Sequence, residues 1–145
     1  MSGAILPTQL ADLTRGDLAW LRAFLSGRRT RGTSLAAQLD ARLDTEKQDT
    51  LLTWAARHGQ AEAVRLLLEG GASVGATTGG VHRVREQLFI ACECALSIAC
   101  ENNHVEIARL LLEAGAAVNQ ANEKGFTPLV MACQEGHEGV VRLLL

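Results

Sequence analysis

Apolar and polar positions recur along this chain in blocks. Three leucine triplets, Leu66 to Leu68, Leu110 to Leu112 and Leu143 to Leu145, each follow an arginine (Arg65, Arg109, Arg142), at spacings of 44 and then 33 residues. The same offsets hold upstream. Leu52, Leu96 and Leu129 correspond, as do Ala55, Ala99 and Ala132, and Gly59, Asn103 and Gly136. Self-similarity with a period near 33 predicts a stack of small units.

The third unit shows how one block folds. Asn122 and Gly125 bracket a tight turn. Thr127 suits an N-cap, and Pro128 suits the first helical position, where no N–H is needed. Leu129, Ala132 and Cys133 then share one helical face, and Gly136 ends the helix in a left-handed cap. A second helix follows, with Val140, Val141, Leu144 and Leu145 turned inward. The unit is a turn, a short helix, a tight turn and a longer helix. Neither helix is long enough to hold alone in water, so each unit must lean on its neighbour.

Gly125-Phe-Thr127-Pro128-Leu129, then Ala132-Cys133, Gly136-His137 and Val-Val-Arg-Leu-Leu-Leu, closely resembles the ankyrin repeat. Residues 50–74 form a first such unit, 94–119 a second and 120–145 a third, with an insertion at 75–93. The fold class the resemblance implies is all-α: an ankyrin-type solenoid of stacked helix-turn-helix repeats joined by hairpin-like loops. Residues 1–49 are less regular and are expected to form a degenerate helical cap. Trp20, Leu21, Phe24 and Leu25 have the spacing of one helical face, Gly27 to Thr33 reads as a loop, and Leu35 to Leu43 as a further short helix. The third unit stops inside its second helix, and a fragment of a longer array is the expectation.

Two departures stand out. Asn103 replaces the turn glycine, and asparagine is the next residue to tolerate positive φ. Cys94 and Ala95 replace the Thr-Pro helix start, just after eleven extra residues between units one and two. No glycine or proline occurs from Arg83 to Asn102. The preferred reading extends the second unit's first helix backward through Arg85, Leu88 and Ala91. The rival is an irregular hairpin finger closed by Gly79-Gly80.

Composition adjusts this picture only slightly. Hydrophobic residues make up 48% and aromatics 3%, with no tyrosine, which suits small aliphatic helix packing better than a β-sandwich. Lys plus Arg number 14 against 16 acids, so no preference for nucleic acid follows, and Arg28, Arg29 and Arg31 read as a solvated loop. No signal peptide or membrane-spanning stretch is visible. Four cysteines without a spacing framework point to reduced thiols, hence an intracellular protein, cytoplasmic or nuclear.

Candidate chemistry is sparse. Cys92, Cys94 and Cys100, with His82 or His104, are conceivable metal or redox groups, but no paired CxxC spacing supports four converging ligands. Cys100 and Cys133 align with Ala56 and are expected to be core thiols. His104 and His137 share a register; the resemblance implies that they link neighbouring turns. Trp54 and Trp20 are expected in the core. No nucleophile elbow, phosphate loop or HExxH occurs, so neither catalysis nor a cofactor or metal is expected.

The function implied is a rigid concave surface presented to another protein. The candidate contact residues are those that vary between units: Arg57, His58, Ser97, Glu101, Asn102, Gln134 and Glu135, with Ala121, Glu123, Lys124 and Phe126 on the hairpin. Phe126 is read equally as a contact or as a tolerated exposed residue. Two other classes compete: an ankyrin segment that recruits substrate to, or regulates, a larger enzyme or channel, and a cysteine-based metal or redox switch.

Overall fold

The computed structural model describes residues 7–26, 43, 48–78, 81–84, 87–90, 94–122 and 124–145. Its elements run α1 (Pro7–Thr14), α2 (Ala19–Ser26), α3 (Leu51–Arg57), α4 (Ala61–Glu69), β1 (Val81–Val84), β2 (Gln87–Ile90), α5 (Ala95–Glu101), α6 (Val105–Glu113), α7 (Pro128–Glu135) and α8 (Glu138–Leu144). The architecture is an ankyrin-type helical solenoid. Helices α3/α4, α5/α6 and α7/α8 are the three antiparallel pairs. The first helices α3, α5 and α7 lie in one closely packed row, and α4, α6 and α8 form a second, more loosely packed row. We call the closer row the inner one and the looser row the outer one. Helix α2 leans on α4 and covers the amino-terminal side of the stack.

The apolar register dictates this packing. Leu51, Leu52, Leu67, Leu96, Ile98, Ile107 and Leu111 are fully buried, and Ala55, Ala56, Ala63, Ala95, Ala99 and Ala108 let the helix axes approach closely. Trp54 belongs to this core, and Trp20, Phe24 and Leu25 pack against it half-buried. Helix α1, which the sequence pattern did not signal, contributes Leu13. Leu43 is buried and its N–H donates to the Asp49 carbonyl; the rest of the expected Leu35–Leu43 helix, and the Arg28–Arg31 loop, lie outside the described residues.

Helix starts follow the capping chemistry. Thr50 and Thr53 cap each other reciprocally at α3, and Thr127 accepts from the Val130 N–H at α7 with Pro128 in the first turn. At α5, Cys94 offers no side-chain cap, and its Sγ lies 3.3 Å from Ser97 Oγ. The tight turns take the left-handed conformation at Gly59 (φ 70°), Asn103 (φ 59°) and Gly136 (φ 73°), so asparagine does substitute for the glycine.

The insertion is a hairpin, which overturns the backward helix extension. Cys94 is extended (φ −83°, ψ 163°), and α5 begins only at Ala95. Antiparallel strands β1 and β2 pair Val81 with Ile90 and Val84 with Gln87, and Thr77 bridges Cys94 in the same register. Only residues 85 and 86 separate the last pair, and Gly79-Gly80 precede both strands, so the glycines do not close the finger.

Unit three brings further corrections. Val140 and Ala132 are buried, but Leu129, Val141 and Leu144 are only half-buried and Leu145 is 88% exposed. Cys133 is exposed and is not a core thiol. The face that α7 covers in unit two has no described element against it in unit three.

Candidate functional site

The ends of the first helices and the loop that joins units two and three carry the candidate residues. Their exposure sorts the candidate residues. His58, Asn102, Gln134 and Glu135 are exposed at the carboxyl ends of α3, α5 and α7. Each local fold fixes its side chain differently. His58 stacks on Trp54, with ring centroids 4.0 Å apart, and its Nδ1 lies 2.9 Å from the Trp54 carbonyl. Asn102 Nδ2 donates to the Ile98 carbonyl at 2.8 Å. Both residues thus stand over the turn with little freedom left to lose on contact.

Two candidates are already engaged in the fold. Ser97 is 4% exposed, turned into the helix start beside Cys94, and is removed from the accessible surface. The same register position in unit one holds Thr53, which is also buried. Arg57 is ion-paired with the buried Asp49 at 3.3 Å, its side chain only 17% exposed. That pair ties α3 to the segment before it, so Arg57 has a structural task. Glu101 is half-buried, and its backbone carbonyl lies 2.8 Å from His137 Nε2. A ring from unit three thus reaches back to the turn of unit two. The His104 ring lies over Gly59 in the equivalent place, close enough that a Cβ there would sit 2.9 Å from it.

The hairpin between units two and three is built on one asparagine. Asn122 Oδ1 accepts from the N–H groups of Lys124 and Phe126, both at 3.0 Å, and the Asn122 N–H donates to the Phe126 carbonyl at 2.9 Å. Gly125 takes φ 81° to close the loop. Ala121 and Lys124 are exposed at this tip, and Phe126 is half-buried. Glu123 lies outside the described residues. The sequence reading missed Val130, 36% exposed on α7, although its register partners Thr53 and Ser97 are buried.

The opposite face carries a different pattern. Glu62 and Arg65, and Glu106 and Arg109, pair at 4.0 and 3.9 Å on the outer helices, and Arg22 of α2 reaches Glu62 at 3.7 Å. All are well exposed, so each pair adds little stability. Arginine repeats there from unit to unit, whereas the residues on the inner ends and tips do not.

The cysteines show no convergence. Cys94 and Cys100 are buried, and burial pushes the Cys100 thiol up to about 12, with Cys94 adding to the shift. Among the described residues no three His, Cys, Asp or Glu side chains gather as metal ligands. Cys92 and the His82 side chain lie outside the described residues. No described helix is long and apolar enough to cross a membrane.

Comparison with known families agrees with the geometry. A family model described as ankyrin repeats in three copies matches residues 80–145, and one for the single ankyrin repeat matches residues 47–79. No curated protein matches the chain.

Proposed function

The chain belongs to the ankyrin-repeat family, and from that premise we propose that it is a non-catalytic docking module for another protein. The docking face is the inner row: His58, Glu101, Asn102, Gln134 and Glu135, with Ala121, Lys124 and Phe126 at the hairpin tip. One observation carries this reading. Packing positions repeat from unit to unit, while the exposed positions at helix ends and tips vary. A repeated scaffold specifies the stack, and varied side chains specify the target.

The mechanism is rigid presentation. The tip is held by the Asn122 hydrogen bonds and the turns by His137 and Asn102, so little ordering entropy is spent on association. Phe126 is the anchor of the set, because aromatic side chains dominate interface energetics. Replacing Glu101, Lys124 and Phe126 together by alanine should abolish affinity capture of the partner by the intact chain while its circular dichroism spectrum stays that of the folded chain. Capture that survives the triple change would remove this face from consideration.

A further inference from the structure

The hairpin at the insertion differs from the tip at Asn122 in reach and in what lies beside it. In the short tip, one pair, Asn122 with Phe126, stands above the base. In the finger, Thr77 bridges Cys94 at the base, and four further pairs, from Val81 with Ile90 to Val84 with Gln87, keep the same register. At the rise of an antiparallel strand the four described pairs alone span about 13 Å, against a single pair at the short tip. Strands β1 and β2 form a two-stranded sheet, and no third strand lies beside either edge among the described residues.

The two edges are unlike. Strand β1 carries His82 and Arg83, and a charge is one of the usual guards of an edge against further pairing. Strand β2 reads Gln-Leu-Phe-Ile, with no charge, proline, glycine or slip in register. Because two residues separate Val84 from Gln87, that pair exchanges both ladder hydrogen bonds. By alternation, Leu88 and Ile90 turn their N–H and C=O groups away from β1, toward the open edge. A two-stranded ribbon is marginal in water, and a third strand satisfies those groups and stabilises it.

We propose that the outer edge of β2 is a strand-docking site that takes an extended, uncharged segment of a partner protein as a third strand. The proposal rests on the reading that the inner face docks a protein, of which the finger is the outlying part. Area decides between that occupant and a second copy of the chain. A four-residue edge is about 13 Å long and about 10 Å thick, so pairing on it buries on the order of 300 Å². A stable association needs roughly 1,200 Å². A second copy held at this edge alone falls short, whereas a partner seated on the inner face gains the strand as an addition.

The test uses the intact chain and random peptides of about twenty residues displayed on phage, long enough (about 66 Å extended) to lie on the inner face and reach the finger together, selected for binding to it. Leu88→Pro removes one outward N–H without touching the inner ladder, and proline is tolerated at such edge positions. Arg83→Pro does the same on the β1 edge. The expected result is an affinity loss of at least about tenfold with L88P, none with R83P, an unchanged circular dichroism spectrum in both, and slowed amide exchange at Leu88 and Ile90 when peptide is bound. Selected peptides that bind L88P undiminished would overturn the strand site, and so would equal losses from both prolines. Concentration-dependent dimers that L88P dissolves would assign the edge to a second copy instead. If the Glu101, Lys124 and Phe126 triple variant loses the peptides while L88P keeps them, the inner face stands and the strand site falls. If neither change matters, both readings fall.

Discussion

Units two and three place like residues at the same offsets and bury them differently. Leu96 is 1% exposed and Leu129 half-buried; Ile98 is fully buried and Met131 half-buried; Cys100 is fully buried and Cys133 exposed. Leu111 and Leu144 repeat the contrast in the second helices. Nothing in the residues themselves accounts for it. In unit two the inner and outer helices are covered by α7 and α8, and in unit three no described element lies against the corresponding side. Burial in a stack is a property of the neighbour, so the same leucine is worth different amounts in successive units.

The thiols give the sharpest form of this contrast. Burial raises Cys100 from 9.0 to about 12, which lowers its thiolate fraction near neutral pH about a thousandfold relative to an ordinary thiol. Iodoacetamide should therefore modify Cys133 within the native chain and leave Cys100 untouched until the chain unfolds, as peptide mapping would show. Equal labelling of the two would break the comparison. The same shift has a consequence for stability. The folded state holds the Cys100 proton more tightly than the unfolded state. Its contribution is complete below about pH 9 and is lost as pH rises toward 12. Denaturant midpoints should fall over that window, and by less in Cys100→Ala.

Truncating the paired leucines comes next in size. Leu96→Ala opens a cavity inside a close-packed row and should cost about 2–5 kcal/mol. Leu129→Ala removes a side chain that is half in water and should cost about 1 kcal/mol. Urea titration of both variants measures the difference, and equal losses would mean that unit three is as tightly packed as unit two.

The turns offer a smaller contrast. Gly59 and Gly136 share the left-handed conformation, at φ 70° and 73°, but only Gly59 has a neighbour, the His104 ring 2.9 Å from a built Cβ. Alanine at either position meets the positive-φ penalty of about 1 kcal/mol. Gly59→Ala must also push the imidazole aside and should cost about 1 kcal/mol more. Thermal melts that rank the two variants in the opposite order would mean that the His104 ring yields freely.

Much of the stack was legible in the sequence because the repeat writes each packing position three times. Thr127-Pro128, Gly136 and Asn103 could each be read from local chemistry alone, and each holds the conformation its residue type favours. The finger was not legible in that way. Residues 83–102 contain no helix breaker, so local propensity favoured a helix, and tertiary closure won. The chain has to leave Thr77 and return to Cys94, which are bridged to each other. Lengthening a hairpin adds residues without moving those ends, whereas a helix running back from Cys94 would need a second segment to return. Eleven is an odd number, so the loop shortens from the three residues between Asn122 and Phe126 to the two between Val84 and Gln87 while the base keeps its register. The buried Ser97 and exposed Val130 were missed for a different reason. Their burial depends on the flanking helices, and neither polarity nor position in the repeat reports that.

The smallest expected effect concerns the helix starts. The caps of α3, α5 and α7 share one backbone conformation, with φ/ψ of −81°/169° at Thr50, −83°/163° at Cys94 and −83°/164° at Thr127. Only Cys94 accepts no helix N–H, its Sγ meeting the Ser97 hydroxyl instead, so the geometry for a cap is present and a strong acceptor is missing. Cys94→Thr should supply it without backbone movement and stabilise the chain by about 0.5–1 kcal/mol, a rise of about 2–4 °C in Tm. Ser97 would then stand where Thr53 stands in unit one, free to complete the reciprocal cap that Thr50 and Thr53 make. Thr127→Ala should cost a similar amount in unit three. If Cys94→Thr instead lowers the melting temperature, the sulfur is filling its pocket against Ser97 better than a hydroxyl and methyl can, and packing rather than capping decides how the second unit begins.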